Sequence, residues 1–178
     1  MNWTHLLSPH RIGQKLVAVE TSRSAFEQDY DRIIFSHPFR RLQDKTQVHP
    51  LPAHDFVHTR LTHSLEVSSV GRSLGKRVGE ILLQRHPDLK GNFSLFDFGA
   101  IVAAAALAHD LGNPPFGHAG EDALSDFFSN NDMFREQVTE SEWQDLVKFE
   151  GNAQGFRILN QHAYGLKLTA LGRLPVRR

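Results

Sequence analysis

The stretch DFGAIVAAAALAHDLG, residues 97–112, constrains the fold more than any other part of the chain. Its alanines favour a helix and let a neighbouring helix approach closely, while its apolar character predicts burial. Gly112 and Pro114 are typical helix stops, so we predict a buried helix from about Asp97 to Leu111. Alternating strand patterns are scarce elsewhere, and the whole chain is therefore predicted to be mostly helical.

Further helices are predicted on both sides of this stretch. Ser24 is a candidate N-cap for a helix over AFEQDYDRIIFS, which Pro38 should interrupt. A long helix is expected from about Thr59, and its apolar residues recur every three or four positions. We expect these residues to face the core: Val67, Val70, Leu74, Val78 and Ile81.

Three shorter features complete the predicted outline. The prolines of VHPLPAHDFVH predict a loop, which contains a second His-Asp pair at His54 and Asp55. A helix should begin near Ala119 and lead into an acidic surface excursion over residues 121–150. The string FEGNAQGFRIL then resumes a helical pattern.

Composition limits the available chemistry. The chain has no cysteine and eleven histidines, so any metal ligands must be His, Asp or Glu, and disulfides are excluded. The start lacks a signal-peptide pattern, and the longest apolar run, residues 100–108, is too short to cross a bilayer. We therefore expect a cytoplasmic protein without a membrane partner.

Two residues at the end of the buried helix have metal-ligating side chains. The carbonyl dipoles of a helix end favour a cation near His109 and Asp110. His63, four residues before Val67, is expected to face inward from the neighbouring helix. Two imidazoles and a carboxylate suit a divalent transition metal and leave positions open for water and substrate. Hydrogen-bonded core histidines beside a solvated acid are the alternative, and the residues alone leave both open.

A second pair of side chains suited to catalysis follows GNPPFG, the loop at residues 112–117. His118 starts the next predicted helix, and Glu121 lies three residues further on, close enough to hold the imidazole as a general acid. The alternative is a surface histidine beside an acid at a helix N-terminus.

Basic residues are clustered before the long helix. Arg40, Arg41 and Lys45 lie within RRLQDKTQV, and together with Arg60 they suit a phosphate pocket. An ordinary charged surface is the alternative.

Four strings together resemble the dGTP triphosphohydrolase-like branch of the HD superfamily. They are SRSAFEQDYDRIIFSHPFRRLQDKTQV, HTRLTHSLEVS, AAALAHDLGNPPFGHAGE and FEGNAQGFRIL, and the resemblance runs from about Ser22 to Thr169. It implies an all-α HD-domain helical bundle that forms the N-terminal part of a larger helical protein. The implied divisions are an irregular segment at residues 1–22, a partial HD domain at 23–170 and a basic tail at 171–178.

The resemblance also implies an activity and its residues. The implied reaction is metal-dependent hydrolysis of a deoxynucleoside triphosphate to deoxynucleoside and triphosphate, with Mn, Mg, Co, Ni, Fe or Zn as the divalent ion. Implied partners are the nucleotide substrate, further copies of the protein and single-stranded nucleic acid. The implied site residues are His63, His109 and Asp110 for the metal, His118 and Glu121 for catalysis, and Arg60, Gln47 and Asn152 for substrate.

The chain departs from the family pattern at its end. In the family a second aspartate on a later helix completes the metal site, whereas here the aspartates after Asp110 all lie in or near the acidic excursion. The final string LGRLPVRR has no helical periodicity. We therefore expect a truncated form of a longer protein with impaired activity. Two other functions stay open: an HD nucleotidase or phosphodiesterase, and a non-catalytic module that binds metal and nucleotide or single-stranded nucleic acid.

Overall fold

The computed structural model describes residues 2–9, 23–47 and 57–160, and within these ranges the protein is all-α. The described chain contains three 3₁₀ turns, at Arg41–Asp44, Pro87–Leu89 and Asp132–Gln137, and no β-strand. Its α-helices are α1 (Trp3–Leu6), α2 (Ala25–Ile34), α3 (His37–Arg40), α4 (Arg60–Arg85), α5 (Leu95–Ala108), α6 (His118–Ser129), α7 (Glu140–Val147) and α8 (Gly151–Asn160). The predicted all-α class is confirmed. In the described part of the chain, no helix is both long enough and apolar enough to cross a membrane.

Side-chain caps fix where the principal helices begin. Ser24 accepts a hydrogen bond from the backbone N–H of Glu27 and starts α2, as the sequence predicts. Thr59 and Thr62 form the equivalent reciprocal pair at the start of α4. Pro38 does not simply interrupt α2, because it lies in the first turn of α3, where its missing N–H has no intrahelical partner to lose.

Helices α4 and α5 form the centre of the fold and pack through small residues. The face of α4 toward α5 carries Ser64, Ser68, Gly71, Gly75 and Gly79. A Cβ atom on Gly75 would lie 2.7 Å from the carbonyl oxygen of Phe98. The Ser68 hydroxyl donates to the carbonyl oxygen of Ala103 at 3.0 Å, which ties the two backbones together.

The prediction that the apolar stripe of α4 faces the core is wrong. Val70 is 61% exposed and Leu74 is 58% exposed, and Val67, Val78 and Ile81 are exposed as well. The glycines and serines allow a closer backbone approach than valine and leucine do, so α5 packs on the small-residue face instead. On α5, Ala105 also faces outward, although the apolar run ahead of His109 predicts burial. Val102 is partly exposed, but its side chain lies against Gly71 and Gly75 of α4.

Two apolar clusters flank this helix pair. One contains Ile33, Phe39, Leu42, Ala104, Leu107 and Leu111, and it joins α2, α3 and α5 beneath the end of α5. The other contains Leu7, Leu89 and Phe98 at the opposite end. The expected acidic excursion consists of α6, a 3₁₀ turn and α7, and across these three elements only Trp143 is buried.

Three segments predicted from the sequence lie wholly or partly outside the residues that the structure describes. The loop with His54 and Asp55 and the basic tail at 171–178 lie outside the described residues. Within the N-terminal segment predicted to be irregular, the described part contains the single turn α1. Helix α5 ends at Ala108, three residues before the predicted end, and His109 is its C-cap.

The packing of α4 leads to a stability prediction. We expect Gly75→Leu to lower the free energy of unfolding by about 3 kcal/mol, because the new side chain would occupy the space of the Phe98 backbone. Ser73→Leu places the same side chain on the exposed side of α4 and should change the free energy of unfolding by less than about 0.5 kcal/mol. Urea unfolding measures both. Equal effects would contradict the observed orientation of α4.

Candidate metal centre and adjoining cavity

The three predicted metal ligands meet between the start of α4 and the end of α5. His63 lies in the first turn of α4, His109 caps α5, and Asp110 follows directly. One ligand atom from each of the three residues lies within 4.8 Å of the other two. Two ligands on opposite sides of one ion are about 4 Å apart at bond lengths near 2 Å, so the spacing is close to what a shared ion requires.

The donor atoms of this group fit a divalent cation. The Nδ1 atom of His109 lies 2.7 Å from the carbonyl oxygen of Ala106, so it carries the proton and leaves the Nε2 lone pair free. Asp110 is 5% exposed, and its Oδ2 atom has no hydrogen-bond partner among the described residues. A buried carboxylate oxygen without a partner is costly unless a cation satisfies it. No fourth His, Asp or Glu joins the group within the described ranges.

The other oxygen of Asp110 is held by two donors. Arg60 Nη1 lies 3.0 Å from Asp110 Oδ1, and Asn113 donates through Nδ2 to the same oxygen at 2.6 Å. The Arg60 and Asp110 side chains are both more than nine-tenths buried, so the pair is shielded from water. These bonds fix the carboxylate with Oδ2 left available. Asn113 was not identified from sequence, although an amide three residues after a ligand carboxylate is a recognisable local spacing.

Lys45 supports the same loop from the other side. Its ammonium donates to the carbonyl oxygen of Asn113 at 2.8 Å. Burial lowers the pKa of Lys45, and the nearby charges of Arg41 and Arg60 lower it further. Of the basic cluster predicted to line a phosphate pocket, Arg40 and Arg41 are exposed and lie away from the cavity described below.

Helix α8 packs directly against the loop that follows Asp110. A Cβ atom on Gly112 would lie 2.0 Å from the carbonyl oxygen of Gly151 and 2.1 Å from the backbone nitrogen of Gly155. Gly112 is therefore required for this close approach, a reason beyond the helix stop that the sequence predicts. The contact sets α8 beside the loop that follows the predicted metal ligands His109 and Asp110.

The predicted acid pair lies at the start of α6. His118 Nδ1 and Glu121 Oε2 are 2.9 Å apart, and Glu121 accepts the backbone N–H of Gly151 through Oε1 at 2.9 Å. The hydrogen bond to Glu121 and its negative charge raise the pKa of His118. Asp122 adds to this increase, whereas Arg60 opposes it. The highly exposed imidazole of His118 is thus held by the partly buried carboxylate of Glu121.

A cavity of about 510 Å³ joins the two groups of residues. It is lined by Thr46, Gln47, Arg60, Asp110, Asn113, Phe116, Gly117, His118 and Ala119. Two backbone hydrogen bonds, from Gln47 to His58 and from Arg60 to Lys45, bring the predicted substrate residues Gln47 and Arg60 together. The Oε1 atom of Gln47 is buried and has no hydrogen-bond partner within the described ranges.

The third predicted substrate residue, Asn152, lies away from the cavity lining. Its side-chain amide donates to Glu150 at 2.8 Å, at the start of α8. The backbone N–H groups of Asn152 and Ala153 also bond to Glu150 and lower the pKa of that carboxyl. In this structure Asn152 belongs to the cap of α8.

Comparison with known proteins assigns a family. The model of the HD domain family matches residues 60–159, which include the metal-ligand group, the His118–Glu121 pair and α8. This match covers more than half of the chain, and the chain therefore belongs to the HD domain family.

Similar proteins carry more specific names. A deoxyguanosinetriphosphate triphosphohydrolase-like protein of Pseudomonas aeruginosa is 52% identical, over 92% of this chain and 37% of that protein. One of Synechocystis sp. is 51% identical, over 90% and 37%. The deoxyguanosinetriphosphate triphosphohydrolase of Klebsiella pneumoniae is 39% identical, over 80% and 34%. The chain thus spans only about a third of the length of these relatives.

The ligand group leads to a prediction about metal binding. We expect His63→Ala and His109→Ala each to weaken Mn²⁺ binding by more than about 100-fold, because the loss of an outer hydrogen bond alone costs about 10- to 100-fold. Isothermal titration measures the affinity. His37→Ala removes an exposed histidine of α3 and should leave the Mn²⁺ affinity unchanged. Equal binding by all three variants would rule out this site.

The His118–Glu121 hydrogen bond leads to a prediction about protonation. We expect Glu121→Gln to lower the pKa of His118, because a neutral amide does not stabilise the imidazolium as a carboxylate does. An NMR pH titration of the His118 ring measures the pKa. Asp122→Asn removes a smaller contribution and should cause a smaller decrease. An unchanged pKa in Glu121→Gln would show that the two side chains do not interact in solution.

Proposed function

We propose that this chain carries the catalytic centre of a metal-dependent phosphohydrolase that converts a deoxynucleoside triphosphate to deoxynucleoside and triphosphate. The observation that carries the proposal is Asp110. Its carboxylate, one oxygen of which has no hydrogen-bond partner among the described residues, lies within 4.8 Å of ligand atoms of His63 and His109. Asp110 itself lines the cavity together with Arg60 and His118. The names of the relatives supply the substrate class.

The cavity suits a phosphate chain beside the metal-ligand group. His63, His109 and Asp110 would hold the divalent ion, which when bound polarises a phosphate oxygen and lowers the pKa of a water molecule. Arg60 adds a fixed positive charge at the same wall, although its guanidinium already pairs with Asp110. We propose that its role toward phosphate is chiefly electrostatic. Gln47 offers an unpartnered amide oxygen for a substrate hydroxyl or amine.

We propose that His118 is the general acid of this reaction. Water attacks the α-phosphorus and loses a proton to solvent, the bond from phosphorus to the 5′ oxygen breaks, and that oxygen takes a proton from His118 Nε2 as triphosphate is released. His118 then regains a proton from solvent. Glu121 holds the opposite ring nitrogen, and its hydrogen bond and negative charge raise the pKa of His118, which favours the protonated imidazole that a general acid needs. Because His118 is at the surface of the cavity, it can reach a leaving group without displacing buried residues.

Product analysis tests this proposal. With Mn²⁺ and dGTP, we expect the chain to release inorganic triphosphate and deoxyguanosine in equal amounts. His118→Ala should lower the rate by about 100-fold or more, the usual contribution of a general acid, while Mn²⁺ binding stays intact. His37→Ala again serves as the control.

Other outcomes would identify a different function. Release of monophosphate or pyrophosphate would indicate an HD nucleotidase or another phosphohydrolase. Metal binding without turnover of any deoxynucleoside triphosphate would indicate a non-catalytic module. An unchanged rate in His118→Ala would remove this residue from the chemistry.

A further inference from the structure

Phe116 has an unusual backbone conformation at the cavity. Its φ angle is 68°, and it is the one residue other than glycine with a positive φ among those that the structure describes. This left-handed region is unfavourable for a residue with a bulky side chain, so an outlier at a cavity wall indicates a local constraint. The loop on either side fixes it, because two prolines precede Phe116 and Gly117 also has a positive φ, of 58°.

The conformation leaves the phenyl ring at the cavity and in contact with solvent. Phe116 is 67% exposed, whereas Phe39 and Phe98 are buried in the two apolar clusters. An aromatic ring of this size usually contributes to stability through burial. Phe116 contributes little in this way, so the structure keeps a strained residue with an exposed apolar surface beside the candidate site.

The residues lining the cavity divide it chemically. Arg60, Asp110, Asn113 and His118 contribute charged or hydrogen-bonding groups, and Phe116 is the one large apolar side chain of the lining. A volume of about 510 Å³ is in the range of sites for small organic ligands. Phosphate groups need the polar wall but gain nothing from a phenyl ring. A ligand that uses both walls must join an anion to a flat apolar group.

We infer that Phe116 is the stacking surface for the base of the nucleotide, an inference that rests on the proposed function. A base presents a flat π face that stacks on an aromatic side chain, whatever its hydrogen-bonding edge. Phe116 therefore adds affinity for the nucleoside part of the substrate without reading the hydrogen-bonding edge of the base. Purine nucleotides, with their larger rings, should benefit more than pyrimidine nucleotides.

Binding measurements with two ligands test this inference. One ligand is a dGTP analogue with a methylene group in place of the 5′ oxygen, which cannot be cleaved at that bond, and the other is inorganic tripolyphosphate. Isothermal titration in Mn²⁺ compares the wild-type chain with Phe116→Leu, which keeps an apolar side chain, and Phe116→Tyr, which keeps the ring. Both substitutions retain a Cβ atom, so the backbone strain is matched. Phe127→Leu, at an exposed site outside the cavity lining, is the control.

The expected result is selective. Phe116→Leu should weaken binding of the nucleotide analogue roughly tenfold and leave tripolyphosphate binding unchanged, whereas Phe116→Tyr and Phe127→Leu should match the wild type. If the wild type binds the analogue and Phe116→Leu binds it equally well, the inference is wrong and the proposed function stands. If both ligands weaken together, Phe116 supports the fold of the loop and does not stack on a base. If the wild type binds neither ligand, the proposed function fails and the inference fails with it.

Discussion

The buried ion pair between Arg60 and Asp110 is the interaction on which the site depends. It joins the first residue of α4 to the residue that follows the cap of α5, and both side chains are almost fully removed from water. Loss of one partner from such a pair typically costs about 3–5 kcal/mol, because the remaining charge is buried alone. The pair therefore links the helix ends that carry His63 and His109 through a contact within the protein itself. His63, three residues after Arg60, is positioned by the same contact.

The small-residue seam between α4 and α5 extends this constraint along both helices. Glycine and serine side chains let the backbones approach until the Ser68 hydroxyl reaches a carbonyl oxygen of α5. Side chains at such an interface have little room to adjust, and relative sliding of the helices would open the Arg60–Asp110 contact. The helix pair is thus a rigid support for the imidazoles of His63 and His109. Rigid elements hold ligand geometry better than loops do.

Local chemistry in the sequence predicted the helices and the ligand group. The caps at Ser24 and Thr59 act over three residues and are therefore readable from the chain alone. His109 and Asp110 could be placed together because both follow the end of one predicted helix. The sequence puts His63 on the face of Val67, which the structure shows to be exposed, so the proximity of His63 to the other two side chains is evident only from the structure. The substrate roles of Gln47 and Arg60 stay predictions, and both residues line the cavity.

Longer-range features could not be predicted in the same way. The spacing of Val70 and Leu74 identifies an apolar face but does not state which neighbour packs against it, and the closer glycine contact determines the packing. The exposed position of Phe116 at the cavity could not be predicted, because a positive φ in a residue other than glycine depends on the surrounding loop. The role of Asn152 toward substrate stays a prediction, and its hydrogen bond to the neighbouring Glu150 is a local contact that the resemblance does not indicate.

The bond from the Gly151 backbone to Glu121 closes the acidic excursion at its base, across thirty positions of the chain. Helix α8 is held a second time where Gly112 meets Gly151 and Gly155. Helix α7 and its neighbouring turns therefore join the rest of the protein at a base that is fixed at two points, so we expect changes in their length to shift His63, His109 and Asp110 less than changes at the base itself. A single added methyl group at Gly112 or Gly151 would collide with the opposite backbone or with Asn113 and would push α8 away from the loop that follows Asp110.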